Sequence, residues 1–476
     1  MARRGVGSVA FAALACVVGG CSMAPAYHPP TLPAPAHFKE DATWKAADPA
    51  IALPAQWWTL LGDPQLDKLE ERVATGNPTL AIALARYDRA RAELREAKSG
   101  LMPQIGLSTN LTSNRQSEHR PLRGSNQPDF YGADTVGGAI SFDPDLWGRV
   151  RGSVAAGKAE MEASGDMLAA ARLSLQAQLA FDYVRLRGQD RQLTLLAQSV
   201  DGFRQADALV ERRFRGGIAS GVDTARAGSL LEGARAEVEE LRSARALTEH
   251  AIASLTGTPA SDFTLAPADT RFRIAAIPPG LPSTLLERRP DVAAAEREVA
   301  AANAGIGVAK AAFFPSIMLG GAGGFQSTAL AGLISAPNLF WSIGPGAILN
   351  LFEGGRRHAR LAEANANWAE ATARYRALVL QAFQDVEDQL ALLDRLGAAQ
   401  RNEDKAADDA EQAQRIALNR YVKGAATYLD VVTAQTTALT LRQQAISLET
   451  RRGQAQVGLM RALGGGWGGA AKNIAG

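Results

Sequence analysis

No catalytic or metal-binding constellation stands out in this sequence. Its five histidines are scattered without ligand spacing, and neither H-E-x-x-H nor G-x-S-x-G occurs. No enzyme activity, metal or cofactor is therefore expected. Charge is nearly balanced, with 51 Lys and Arg against 49 Asp and Glu, which gives no reason to expect a nucleic-acid partner. Aromatic residues are only 6% of the chain. With much alanine, that suits thin, closely packed helices better than one thick core. Cysteine occurs twice, at Cys16 and Cys21. Near-matches to functional motifs have simpler readings. Gly152 to Ala159 nearly spells a phosphate-binding loop, but Ala159 stands where a magnesium-binding Ser or Thr is required. Asp143 and Asp145 read as a helix start rather than as a catalytic pair.

What is present begins with a leader. Arg3 and Arg4 precede the apolar run Val6–Val18, which is too short to span a bilayer and ends in Val18-Gly19-Gly20-Cys21. Residues 1–20 read as a lipoprotein signal peptide and Cys21 as the lipidated residue. The alternative is an ordinary secretory signal with a chance cysteine. Cys16 leaves with the leader, so no disulfide forms within the mature chain. Residues 21–76 are assigned to an extended N-terminal tail on their prolines, Pro25 to Pro54, with folding beginning near Trp57-Trp58.

The remainder is built twice. An offset of 207 residues separates Phe214 from Tyr421, Asp223 from Asp430, Arg149 from Arg356 and Gly257 from Gly464. An offset of 212 separates Pro78 from Pro290 and Pro103 from Pro315, which places a loop deletion inside the second copy's hairpin. Repeat 1 (77–284) reads as a helix, a β-hairpin over 104–143 and a long helix pair over 149–257. Repeat 2 (285–476) reads as a helix, a hairpin over 316–349, a helix pair over 356–463 and a C-terminal tail. The helices follow from apolar seams at coiled-coil steps, as in Val379, Phe383, Val386, Leu390 and Leu393. The strands follow from alternation. Ile105, Leu107, Thr109 and Leu111 share one face opposite Gln104, Gly106, Ser108 and Asn110. A polar loop with Arg115 and Asp129 separates the first pair. Such hairpins suit a membrane barrel with a wet lumen, and equally an ordinary soluble hairpin. Four strands cannot close a barrel, and open edges are not tolerated in lipid, so membrane hairpins require an oligomer sharing one barrel.

Several landmarks carry a resemblance: Trp57-Trp58, Asp145-Leu146-Trp147-Gly148-Arg149, Leu285 to Asp291, Phe313-Phe314-Pro315-Ser316, Phe383 to Asp388 and Ala462 to Trp467. Together they resemble the TolC-like outer-membrane efflux factors, in the lipidated OprM/NodT branch, over nearly the whole mature chain. The resemblance implies a mostly α fold with a small β part. Each chain would lend two hairpins to a trimeric twelve-stranded β-barrel, with a long coiled-coil α-barrel in the periplasm. It also implies a homotrimer set in outer-membrane lipid, a periplasmic adaptor and an inner-membrane pump of the resistance-nodulation-division type. The expected function is a passive exit duct for small molecules. A protein-secretion duct and a structural coiled-coil lipoprotein are the alternatives.

On this reading two turns carry the sites. Gly216, Gly217 and Ser220 in the first, with Gly424 and Thr427 in the second, are expected to dock the adaptor, their small residues allowing close approach. Leu429 and Asp430 are expected at a periplasmic gate, where three like charges would raise the Asp430 pKa. Asp430 and Asp223 are alternatively helix caps. The family often has a second acidic residue at the position of Thr433.

Overall fold

The computed structural model describes residues 23–31, 35, 37–40, 54–120, 128–272 and 288–467. The leader, Cys21, Leu285 to Glu287 and the expected repeat boundary lie outside the described residues. Thirteen elements are labelled in chain order. The segment before the repeats contributes α1 (Pro64–Gly76), and repeat 1 contributes α2 (Pro78–Ser99), β1 (Gln104–Asn110), β2 (Ser113–Arg115), β3 (Phe130–Gly132), β4 (Asp134–Phe142), α3 (Arg149–Arg215) and α4 (Gly221–Leu255). Repeat 2 contributes α5 (Pro290–Ala311), β5 (Ser316–Ser327), β6 (Leu339–Ile348), α6 (Arg356–Val422) and α7 (Tyr428–Ala462). Both long helices, α3 and α6, have 67 residues, and both partners, α4 and α7, have 35. The near-motif at Gly152 to Ala159 lies inside α3, where Lys158 pairs with Glu162.

Two differences from the sequence reading have local causes. Residues 57–76, assigned to the extended tail, are helical: a 3-10 turn over Trp57–Leu61, then α1. Asp63 caps α1 by accepting from the Gln65 amide at 2.9 Å, Pro64 suits its first position, and Leu66, Leu69 and Val73 form a buried stripe. The prolines that marked the tail all precede this segment. The polar loop of the first hairpin also carries a short ladder, β2 on β3, which continues the β1–β4 register from Gln104↔Ser141 to Ser113↔Gly132. The Arg115 guanidinium lies 5.5 Å from the ring centroid of Phe130, which stays largely exposed.

The chain divides into two compact units. The first comprises Met1–Thr31, Arg86–Gly165 and Ala294–Tyr375. Its centre is an antiparallel sheet in the order β1-β4-β5-β6, so the two hairpins join along β4 and β5. At that seam Gly137 opposes Gly324 and Gly138 opposes Gly323. A Cβ on Gly137 would come within 2.9 Å of the Gly323 carbonyl. The strands meet their helices through the family landmarks. Trp147 stacks on Phe314 with centroids 4.7 Å apart and donates its indole N–H to the Pro315 carbonyl at 2.7 Å. Asp145, at a positive φ of 49°, accepts from the Val150 and Arg151 amides at 2.8 Å and so starts α3, the role expected of it.

The second unit comprises Leu32–Ala85, Asp166–Ala293 and Arg376–Gly476. The seam of α6 is buried at Val379, Val386, Leu390 and Leu393, and that of α7 at Val431, Ala438 and Ala445. Each repeat closes with one device. Gly257 and Gly464 end their helix pairs in the left-handed region, at φ 69° and 89°. A Cβ on either would collide with a carbonyl, that of Gly76 or of Arg288, just before the repeat's opening helix. A second landmark pair meets here, where Arg289 binds Asp291 at 2.6 Å and Asp385 at 2.9 Å. Arg187, Asp190, Arg245 and Glu249 form an ion network that also bonds the backbone of residues 265–268.

Candidate functional site

The sheet has two chemically different faces. Register places Ile105, Leu107, Val136, Ile140, Leu319, Phe325, Trp341 and Ile343 on one side. The opposite side carries mainly small residues, Gly106, Ser108, Thr135, Ala139, Ser141, Gly320, Ala322, Ser342 and Gly344, with Met318, Phe340 and Ile348 toward the strand ends. Leu107 and Ile343 are 85% and 80% exposed, a solvation that water does not reward and acyl chains do. Strands of 7 to 12 residues suit a tilted crossing of a bilayer. β1 and β6 each pair along one edge only among the described residues, which leaves two ladders of backbone donors and acceptors for another chain. No helix among the described residues is long and apolar enough to cross a membrane.

The two turns close with the same backbone bonds. In the first, Gly217 N–H donates to the Phe214 carbonyl at 2.9 Å and Ile218 N–H to the Arg213 carbonyl at 2.8 Å. In the second, Gly424 donates to Tyr421 at 2.9 Å and Ala425 to Arg420 at 2.8 Å. This is the pattern that closes a helix with one left-handed residue, and Gly217 and Gly424 have φ of 71° and 77°. Three residues after each glycine the next helix begins with a reciprocal cap. The Ser220 and Thr427 hydroxyl oxygens accept from the Asp223 and Asp430 amides at 3.2 and 3.3 Å, and each carboxylate accepts from the cap's own amide.

Each expected site residue has a local role within its turn. Gly217 and Gly424 are required by backbone conformation, so a side chain there strains the turn before it meets any partner. Ser220 and Thr427 are caps. Asp223 and Asp430 both complete capping boxes, the alternative that stood beside the gate. The Asp430 carboxyl is held below the usual range by hydrogen bonds from the Thr427 amide and hydroxyl, with Arg420 nearby adding to the effect. Leu429 is exposed beside it, as are Phe214, Ile218, Val222 and Val422. Gly216 is exposed and has a negative φ.

Sequence reasoning passed over the group that ties the turns together. Arg213 of α3 donates to the Tyr421 carbonyl at 2.9 Å and the Val422 carbonyl at 2.7 Å, and its guanidinium lies 4.5 Å from the Tyr421 ring centroid. Those carbonyls end α6, where a cation is favoured. Arg420, its counterpart in repeat 2, reaches only the Ala425 carbonyl of its own turn, at 3.3 Å. Beneath Arg213, Tyr421 and Tyr428 pack at 5.4 Å with Val210, Ala227 and Val431. Burial, together with nearby Tyr421, Asp207 and Asp223, pushes the Tyr428 phenol up to about 12.

Comparison with known proteins gives a consistent result. The family model described as outer membrane efflux protein matches residues 70–258 and 281–465, once for each repeat. The outer membrane protein OprJ of Pseudomonas aeruginosa is 33% identical over 461 residues, covering 95% of each chain. The toluene efflux pump outer membrane protein TtgF of Pseudomonas putida is 29% identical over 468 residues, covering 96% of each. Among solved structures, the outer-membrane channel OprN superposes with a TM-score of 0.86 at 28% identity, over 94% of this chain and 100% of that one.

Proposed function

Because the chain belongs to the outer membrane efflux protein family, we infer a passive exit duct for small molecules, its energy supplied by partners. The protein is an outer-membrane efflux channel. Three copies share one barrel, a helical tunnel extends into the periplasm, and the duct works with an adaptor and an inner-membrane pump. The observation that carries this reading is the sheet, with its exposed apolar face, small polar face and two unpaired edges. A structural coiled-coil lipoprotein would need none of these features. The family is one of channels, not of enzymes.

The finer assignments follow from the residues. The pump is of the resistance-nodulation-division type, on the landmark motifs. Cys21 carries lipid, on the motif ending at that residue. The adaptor docks at the turns around Gly216 and Ala425, where exposed Ile218 and Val422 offer apolar surface to a helical partner. Leu429 and Asp430 line the periplasmic gate. Both capping bonds use Asp430 Oδ2, which leaves Oδ1 for cations or a neighbouring copy.

Single-channel conductance in a planar bilayer tests duct and gate together. The wild type is expected to conduct and to be blocked by a trivalent cation from the tunnel side. Asp430→Asn keeps an acceptor for the Thr427 cap and removes the charge, so block is expected to weaken at unchanged thermal stability. Absence of conductance refutes the duct. Equal block of wild type and variant leaves Asp430 a cap only.

A further inference from the structure

The two hairpins are copies in register as well as in sequence. Adding 212 to the β1 residues and 207 to the β4 residues turns Gln104↔Ser141 into Ser316↔Ile348, and Asn110↔Thr135 into Ala322↔Ser342. Both are observed pairs of β5 with β6. The seam between the hairpins, β4 on β5, has no second copy among the described residues. Its copy would join β6 to β1, the two strands with a free edge. The same offsets give that missing seam a register: Phe142↔Leu319 becomes Leu349↔Leu107, and Ile140↔Gly321 becomes Ala347↔Thr109. Strand direction agrees. β1 leaves the helices after α2 and β6 returns to them before α6, so the two run antiparallel. The faces agree too, because Leu349 and Ala347 continue the side of Ile343, and Leu107 and Thr109 that of Ile105.

Side chains left bare in one chain fit this seam. Leu351 and Phe352, just past β6, are 88% and 89% exposed, and Met102, just before β1, is 67% exposed. Continued by two residues, the register sets Leu351 opposite Ile105, which is also bare. Within the chain the corresponding corner is closed by Trp147 stacked on Phe314. Phe314 corresponds to Met102, but Trp147 corresponds to Gly354, which has no side chain to place there. A Cβ on Gly354 would meet nothing within 4 Å. Phe352, two residues earlier, is the aromatic available to that corner.

We propose that β6 of one copy pairs with β1 of the next in the register Leu349↔Leu107, with Leu351 against Ile105 and Phe352 against Met102 closing the corner below. This inference rests on the shared barrel of the proposed function and adds the register of its seam and an apolar clasp. Three seams between copies then repeat the three seams within them, and the barrel is a ring of six equivalent hairpins. Leu351 and Phe352 lose contact with water only on assembly, which couples completion of the sheet to trimer formation.

Disulfide trapping in the full-length trimer tests the register. Residues directly opposite have Cα atoms about 4.5–5.5 Å apart, within the span of a disulfide. A neighbour two residues along lies at about 7–8 Å, beyond it. Leu349→Cys with Leu107→Cys is expected to link copies covalently on non-reducing gels. The yield should be about tenfold or more above that of Leu349→Cys with Ile105→Cys, with the wild type and single variants as blanks. If the first pair fails to assemble, Ala347→Cys with Thr109→Cys reads the same register. Phe352→Ala removes a side chain that is bare in its own chain, and is expected to lower the temperature of trimer dissociation in detergent by about 5 °C. An unchanged temperature overturns the corner contact. A wild type that stays monomeric overturns the shared barrel and this seam with it. A trimer that links the shifted pair in preference, or neither pair, overturns the register and leaves the channel standing.

Discussion

Truncating Arg213 removes a guanidinium that hydrogen-bonds from the first turn to the second. Arg213→Ala deletes charged hydrogen bonds of 2.9 and 2.7 Å to the Tyr421 and Val422 carbonyls and a stacking contact at 4.5 Å. A buried hydrogen bond to a charged group contributes about 1.5–3 kcal/mol, and an exposed cation–π contact about 0.5–1 kcal/mol. The Val422 carbonyl is reached by water once Arg213 is gone, so the first figure is discounted. The net local loss comes to about 2 kcal/mol. At 1.36 kcal/mol per tenfold this is roughly a thirtyfold rise in opening of the turn. Hydrogen exchange resolved at the Gly424, Ala425 and Asp430 amides reads it directly, because all three are bonded only while the turn is closed. Arg213→Lys reaches one carbonyl without the planar stack and should show roughly a fivefold rise, the equivalent of about 1 kcal/mol. Arg420→Ala loses a single exposed bond of 3.3 Å and should change exchange little. Exchange within about twofold of wild type in Arg213→Ala, or equal effects at Arg213 and Arg420, would refute the reasoning.

Two further outcomes are expected. Glu70 is fully buried, neither carboxylate oxygen has a hydrogen-bond partner among the described residues, and burial followed by the Asp67 charge pushes its pKa up to about 9. The folded chain then binds a proton that the unfolded chain releases between the ordinary value of 4.5 and about 9, so stability falls across that window as pH rises. At pH 7 the loss is about 3 kcal/mol, and thermal unfolding of Glu70→Gln should lack this slope; parallel pH profiles would exclude the role. On the sheet, Ile343→Arg places a charge on the exposed apolar face and should cost about 2–4 kcal/mol of barrel stability near the bilayer midplane. Ser342→Arg, on the opposite face, should be tolerated, and equal trimer yields from the outer membrane would remove the lipid-facing assignment.

Much of the fold is written in short-range spacing. The duplication is readable by subtraction, from Arg149 and Arg356 to Gly257 and Gly464. Helix bounds follow from Pro78, Pro290 and the terminal glycines, because proline and left-handed glycine act on their own backbone whatever surrounds them. The strand faces follow from period-two alternation, and register then confirms Ile105 opposite Ile140 and Trp341 opposite Gly323. The helical segment at 57–76 was missed because proline density upstream outweighed the Asp63-Pro64 start signal just before α1.

Residue spacing thus specifies local features: two copies, their elements, the faces of the strands and the chemistry of the turns. Which distant groups meet is settled by the packing of the folded chain. Arg213 and Arg420 stand at equivalent places before nearly identical turns, yet one bridges to the other repeat and one folds back on its own turn. The joining of β4 to β5, the meeting of Arg289 with Asp385 and the fit of Ala24 against Gly307 are equally invisible to spacing. The physical reason is that periodicity reports which side of an element is apolar. The partner of that side is fixed by chain reversals and close packing across hundreds of residues, where a missing Cβ or a single guanidinium decides the contact.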